Sequence, residues 1–130
     1  MVIDTSVLVA LWRGEPSARR LHAAILRADT RLVSAVSFVE ASLVFLGERG
    51  PGTDLELDVM ARELDLEVVA VTVDHATRAR DAARLFGRGR HPARLHFGDL
   101  FSYALATDRA EPLLFVGDDF AQTDVIAAEW

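Results

Sequence analysis

Val2-Ile3-Asp4-Thr5-Ser6 decides how the rest of the chain is read. Two β-branched residues predict a short buried strand, Asp4 ends it on a carboxylate, and Ser6 begins the next turn. Similar apolar runs return at intervals. Arg31-Leu32-Val33-Ser34-Ala35 predicts a second strand, and Glu67-Val68-Val69-Ala70-Val71 a buried third. Leu113-Leu114-Phe115-Val116 predicts a last one, with Asp124-Val125-Ile126-Ala127 as a short edge strand.

Helical patterns fill the intervals. A short helix follows Ser6, and Pro16 opens a second, in whose first turn a missing N–H costs nothing. Leu21, Ala24, Ile25 and Ala28 recur there at helical spacing. Ser37-Phe38-Val39-Glu40 reads as a capping box starting a helix that runs to about residue 48. Gly50-Pro51-Gly52 breaks it, and residues 53–64 carry Leu57, Met60, Ala61 and Leu64 on one face. Asp74 is the expected cap of the next helix, with Ala76, Ala79, Ala83 and Phe86 as core candidates. Residues 87–92 are a loop by composition, and Gly98-Asp99 opens a further helix. Strands alternating with helices predict one α/β domain over residues 1–130, with a central, mostly parallel sheet of four to five short strands.

Composition narrows the function. The 130 residues are 51% apolar, enough for a single core. Without cysteine, neither disulfides nor zinc–thiolate sites are available. No charge-free run is long enough to span a bilayer, and no basic segment with a cleavage site marks a secretory signal, so a cytoplasmic location with no membrane partner is expected. A net charge of −6 argues against gripping nucleic acid by bulk charge. All 14 basic residues are arginines, however, and seven of them (Arg62, Arg78, Arg80, Arg84, Arg88, Arg90 and Arg94) lie between 62 and 94. That cluster is either a solvated helix face or a local phosphate contact, with Arg88 and Arg90 in the loop as accessory candidates.

The acids carry the sharper signal. In a parallel sheet every strand-to-helix turn opens on one edge, where open α/β folds bind ligands. Topology therefore brings Asp4, Glu40 and the Asp118/Asp119 pair towards one region, and Asp99 towards it from a loop. Singly, each acid is an ordinary helix cap. Gathered, they repel one another, and a divalent cation relieves the repulsion. Oxygen donors without thiolate favour Mg²⁺ or Mn²⁺, which suits phosphodiester hydrolysis. The hydroxyls of Thr5, Ser6 and Ser102 are candidates for orienting these carboxylates or the waters of a bound metal. His22, His75, His91 and His96 form no Ser-His-Asp order and there is no G-x-S-x-G elbow, so catalysis by histidine is not expected. His91, beside the arginine loop, is an accessory RNA-contact candidate.

Met1-Val2-Ile3-Asp4-Thr5-Ser6, Ser37-x-x-Glu40, Gly98-Asp99 leading into Tyr103-Ala104-Leu105-Ala106, and Gly117-Asp118-Asp119-Phe120 with Thr123-Asp124 resemble the PIN-domain ribonucleases. More narrowly, the chain is similar to VapC toxins of VapBC toxin–antitoxin systems, over essentially its whole length. The resemblance implies a PIN-like fold and a Mg²⁺- or Mn²⁺-dependent endoribonuclease, homodimeric and neutralised by a cognate VapB-type antitoxin. It makes Asp4 and Asp99 the principal metal ligands with Glu40 completing the site. The fourth acid is Asp119, directly before the phenylalanine, or Asp118. The antitoxin is expected on the apolar surface of the helix pair spanning residues 38–64. Two rivals stand beside this reading. An aspartate-based phosphohydrolase normally uses a lysine at the phosphoryl site, and the chain has none. A non-catalytic PIN-like binding module has no need of all four acidic positions.

Overall fold

The computed structural model describes residues 1–89 and 91–130; the Arg90 candidate lies outside the described residues. Four strands form one sheet: β1 (Val2–Ile3), β2 (Leu32–Ser34), β3 (Glu67–Val69) and β4 (Leu113–Leu114). Their order is β3-β2-β1-β4 and every pairing is parallel. Among the described residues six α-helices connect and flank them: α1 (Thr5–Arg13), α2 (Ala18–Arg27), α3 (Ala35–Arg49), α4 (Thr53–Glu63), α5 (Val73–Phe86) and α6 (Phe97–Arg109). The α/β architecture and parallel sheet agree with the sequence reading. Asp124–Ala127 adds no strand, contributing a single bridge from Ala127 to Leu113.

Adjacent strand residues face opposite sides of a sheet, and here that alternation builds two cores. Ile3, Val33 and Leu114 pack with Leu8, Leu21, Ile25, Phe45 and Leu57 on one side. Val2, Leu32 and Leu113 pack with Leu105 and Phe120 on the other. Both residues of β1 and both of β4 are fully buried, which is why these strands read as unbroken apolar pairs. β3 departs from its expectation as a buried strand. It lies at the sheet edge, where Glu67 and Val68 are exposed and only Val69 is covered.

Three helix starts also differ from the sequence reading. Ser34, not Ser37, caps α3, accepting from the Val36 N–H. The Ser37-x-x-Glu40 capping box therefore does not form; Ser37 lies inside the first turn, and Glu40 sits in the second turn. Thr72 rather than Asp74 caps α5, its hydroxyl accepting from the His75 N–H. Pro16 precedes α2, whose cap is Ser17. In the first two cases an earlier hydroxyl, Ser34 at the end of β2 and Thr72 three residues after β3, bonds the free amides before the later residue can.

Phe45 anchors the helical side of the larger core. It is fully buried and stacks on Trp12 with ring centroids 4.0 Å apart and planes 8° from parallel. Phe45→Ala should lower unfolding free energy by about 3–5 kcal/mol, the usual cost of emptying a buried aromatic site. Urea titration followed by circular dichroism measures it; a loss under ~1 kcal/mol would mean the core closes over the cavity.

Candidate metal centre

The carboxyl ends of β1, β2 and β4 open on the same edge, and α6 packs across β1, β2 and α3. Each element brings one part of a polar site to that edge. Asp4 leaves β1 as the cap of α1 and is 2% exposed. Both its oxygens are fixed: Oδ1 accepts from Ser102 Oγ at 2.7 Å, and Oδ2 accepts from the Ser6 N–H at 2.9 Å and Ser6 Oγ at 2.7 Å. Ser6 Oγ in turn accepts from the Val116 N–H at 3.0 Å, tying the turn after β1 to the chain leaving β4.

The second layer is also hydroxylic. Ser37 and Ser102 are completely buried with their Oγ atoms 2.9 Å apart. Because the Ser102 proton goes to Asp4, Ser37 is the donor of that pair. This explains the position of Ser37 inside α3. Thr5 Oγ1 donates to Glu40 Oε2 at 2.6 Å, fixing the glutamate from the first turn of α1. Every buried side-chain nitrogen and oxygen among the described residues has a partner, so losing a single hydroxyl here would strand another, at roughly 1–3 kcal/mol. Gly98 holds the other side of Glu40: a Cβ added there would collide with the glutamate carboxylate.

Asp99 lies in the first turn of α6, where its Oδ2 accepts from the His96 N–H at 2.6 Å. Burial pushes its carboxyl up to about 6, against the pull of that hydrogen bond, and the charges of Asp4 and Glu40 push the same way. Three acids from α1, α3 and α6 thus share one field. Asp118 and Asp119 are both exposed, and it is Asp119 that offers an oxygen within 4.8 Å of ligand atoms from Asp99 and His96. Sequence reasoning missed His96, counting it only among the histidines not expected to take part in catalysis. The signal available was its place three residues before Asp99, at the cap of the same helix.

The remaining candidates sit apart from this cluster. Arg84 is paired with Asp81, and Arg78 lies 3.7 Å from Asp108. Arg80, Arg88 and Arg94 are exposed and make no ion pair among the described residues. His91 packs its ring edge against Phe86 and accepts from the Ala93 N–H through Nδ1. His75 is buried between α5 and α6 with Nε2 3.1 Å from Asp108.

The Asp99 shift has a consequence for the metal-free protein. An unfolded-chain aspartate titrates near 4, so the folded chain binds the extra proton between about 4 and about 6. The stability this proton contributes is complete below pH 4 and lost as pH rises through 6. In chelator, wild type should therefore lose more stability than Asp99→Asn between pH 4.5 and pH 7 in thermal unfolding. Parallel curves for the two proteins would contradict the shift.

The family model described as PIN domain matches residues 1–126. Ribonuclease VapC30 of Mycobacterium tuberculosis is 46% identical over 125 residues, covering 96% of this chain and 95% of that one. This chain belongs to the PIN-domain family. Two solved structures share the PIN fold at lower identity. Mycobacterium tuberculosis VapC20, described as a sarcin–ricin-loop-cleaving toxin, superposes with a TM-score of 0.77 at 20% identity, over 96% of this chain and 95% of that one. VapBC2 from Rickettsia felis, bound to a promoter DNA fragment, gives 0.75 at 13%, over 98% and 96%. Among the described residues of this PIN domain, no helix is long and apolar enough to cross a membrane.

Proposed function

We propose that residues 1–130 form a single PIN domain acting as the endoribonuclease toxin of a type II toxin–antitoxin pair, hydrolysing RNA phosphodiester bonds with Mg²⁺ or Mn²⁺. The observation that carries this reading is the meeting of Asp4, Glu40 and Asp99 at one sheet edge, where burial raises the Asp99 carboxyl to about 6 and the charges of Asp4 and Glu40 add to it, with Asp119 alongside. An apo cluster that resists full ionisation, built from oxygen donors, fits a hard divalent cation. Asp4 and Asp99 would hold it, with Glu40 and Asp119 completing the set; Asp118 is the weaker candidate for the fourth place. When bound, such a cation activates water and offsets charge on the transferring phosphoryl group.

The chain's own residues do the positioning. Ser6 and Ser102 aim the two oxygens of Asp4, and Thr5 aims Glu40. Such preset geometry removes the cost of arranging the acids during the reaction. Arg88, with Arg80 and Arg94, supplies exposed guanidinium groups that make no ion pair among the described residues and can contact RNA phosphates.

The partner reading follows from the surface beside the acids. Val39, Leu43 and Phe97 are 56%, 61% and 71% exposed, and they line a groove that includes Glu40. A cognate antitoxin chain covering that groove would also close the cleft. A second copy of the chain is the other expected partner, and RNA as substrate places the pair in the cytoplasm. Expression of the chain alone should arrest growth, and co-expression of its antitoxin should relieve the arrest. Undiminished growth at a verified protein level would remove the toxin assignment.

A further inference from the structure

We infer that His96 is a nitrogen ligand of the divalent cation held by this site and biases it towards Mn²⁺ over Mg²⁺. The inference rests on the metal-dependent reading above and goes beyond it in assigning a residue and an ion preference. His96, Asp99 and Asp119 each offer one ligand atom, all within 4.8 Å of one another. A six-coordinate sphere with bonds near 2.1 Å spans about 4.2 Å between opposite ligands. Only a small approach is needed to close the set. The side chains that must move are free to do so, since Asp119 is exposed and the His96 side chain is 54% exposed.

The local structure ties the imidazole down only weakly. At the start of α6 the His96 N–H donates to the Asp99 carboxylate at 2.6 Å, and the His96 side chain faces the Asp99 N–H in the reciprocal half of a capping box without a full hydrogen bond of its own. The bond from the His96 N–H fixes the Asp99 carboxylate beside the ring, where Nδ1 lies 3.4 Å from Oδ2, too long to count as a strong hydrogen bond. The ring is thus positioned near the carboxylate without being consumed by it. Imidazole nitrogen suits transition metals, whereas Mg²⁺ takes oxygen donors and keeps its waters. An oxygen-only site has little basis for separating the two ions, and one nitrogen supplies it.

The test uses chelator-stripped full chain as wild type, His96→Asn and Asp4→Asn, titrated with Mn²⁺ or Mg²⁺ alone. Pulsed electron paramagnetic resonance of bound Mn²⁺ should show nitrogen coupling in wild type and none in His96→Asn. Calorimetry should show Mn²⁺ affinity falling on the order of tenfold in His96→Asn, the scale at which even outer neighbours of a metal ligand count. Mg²⁺ affinity should change by less than a factor of about two, because oxygen donors carry it. Mn²⁺ binding that depends on Asp4 but lacks nitrogen coupling would overturn the His96 assignment alone. Unchanged Mn²⁺ binding with slower RNA cleavage in His96→Asn would also overturn it, making His96 a phosphate contact. Failure of wild type to bind either ion would remove the metal-dependent reading as well.

Discussion

Gly98→Ala should cost RNA cleavage on the order of 10²-fold while leaving α6 as stable as before or more so. The added methyl group lands on the Glu40 carboxylate, which must swing aside and give up its bond from Thr5. Displacing a catalytic-site group by about 1 Å is enough for a loss of that size. Stability should move the opposite way, because Gly98 lies in the first turn of a helix, where alanine is favoured by up to ~1 kcal/mol. Activity and unfolding free energy measured on one preparation therefore separate this account from general damage. A Gly98→Ala protein that cleaves RNA at the wild-type rate would show that Glu40 need not occupy the cleft.

Asp4→Asn should have the larger effect, lowering cleavage by roughly 10³-fold or more, since metal-assisted charge stabilisation amounts to several kcal/mol. Asparagine can still cap α1, as the side-chain oxygen remains to accept from the Ser6 N–H. It also removes one like charge from the neighbourhood of Asp99 and Glu40. In the metal-free variant that relief is set against the oxygen acceptor Ser102 loses when Oδ1 becomes an amide nitrogen. What the variant should lose is the stabilisation gained on adding Mg²⁺ or Mn²⁺, which follows from mass action on the folded state. Thermal unfolding with and without the ion measures that gain. An equal gain in both proteins would exclude Asp4 from the site.

Much of this arrangement is legible in the chain because β1 and β4 are short and fully buried. Val2-Ile3 and Leu113-Leu114 are apolar on both sides, so they announce parallel strands, and parallel strands put their following turns on one edge. Asp4 could be placed from that alone. Ser37 could not, because Ser-x-x-Glu has the same spacing whether it caps a helix or lies inside one. The deciding fact is the buried Ser102 Oγ 2.9 Å away, a contact across 65 residues. Asp74 misled for a related reason: Thr72 and Asp74 are both good caps, and the end of β3 at Val69 settles which comes first. Gly98 as the seat of Glu40 depends on how α6 packs against α3, and His96 as a neighbour of Asp119 on how α6 sits beside the chain leaving β4. No local pattern encodes that packing.

Whether the carboxylates gathered around Asp4 hold the cation on which RNA cleavage depends is tested most directly by titrating Mn²⁺ into chelator-stripped wild type and Asp4→Asn. Ion binding and cleavage of an end-labelled RNA are recorded in the same samples. Binding and cleavage should rise together in wild type, and both should be lost in Asp4→Asn. Cleavage that persists in chelator, or that proceeds equally in Asp4→Asn, would contradict that role of the carboxylates.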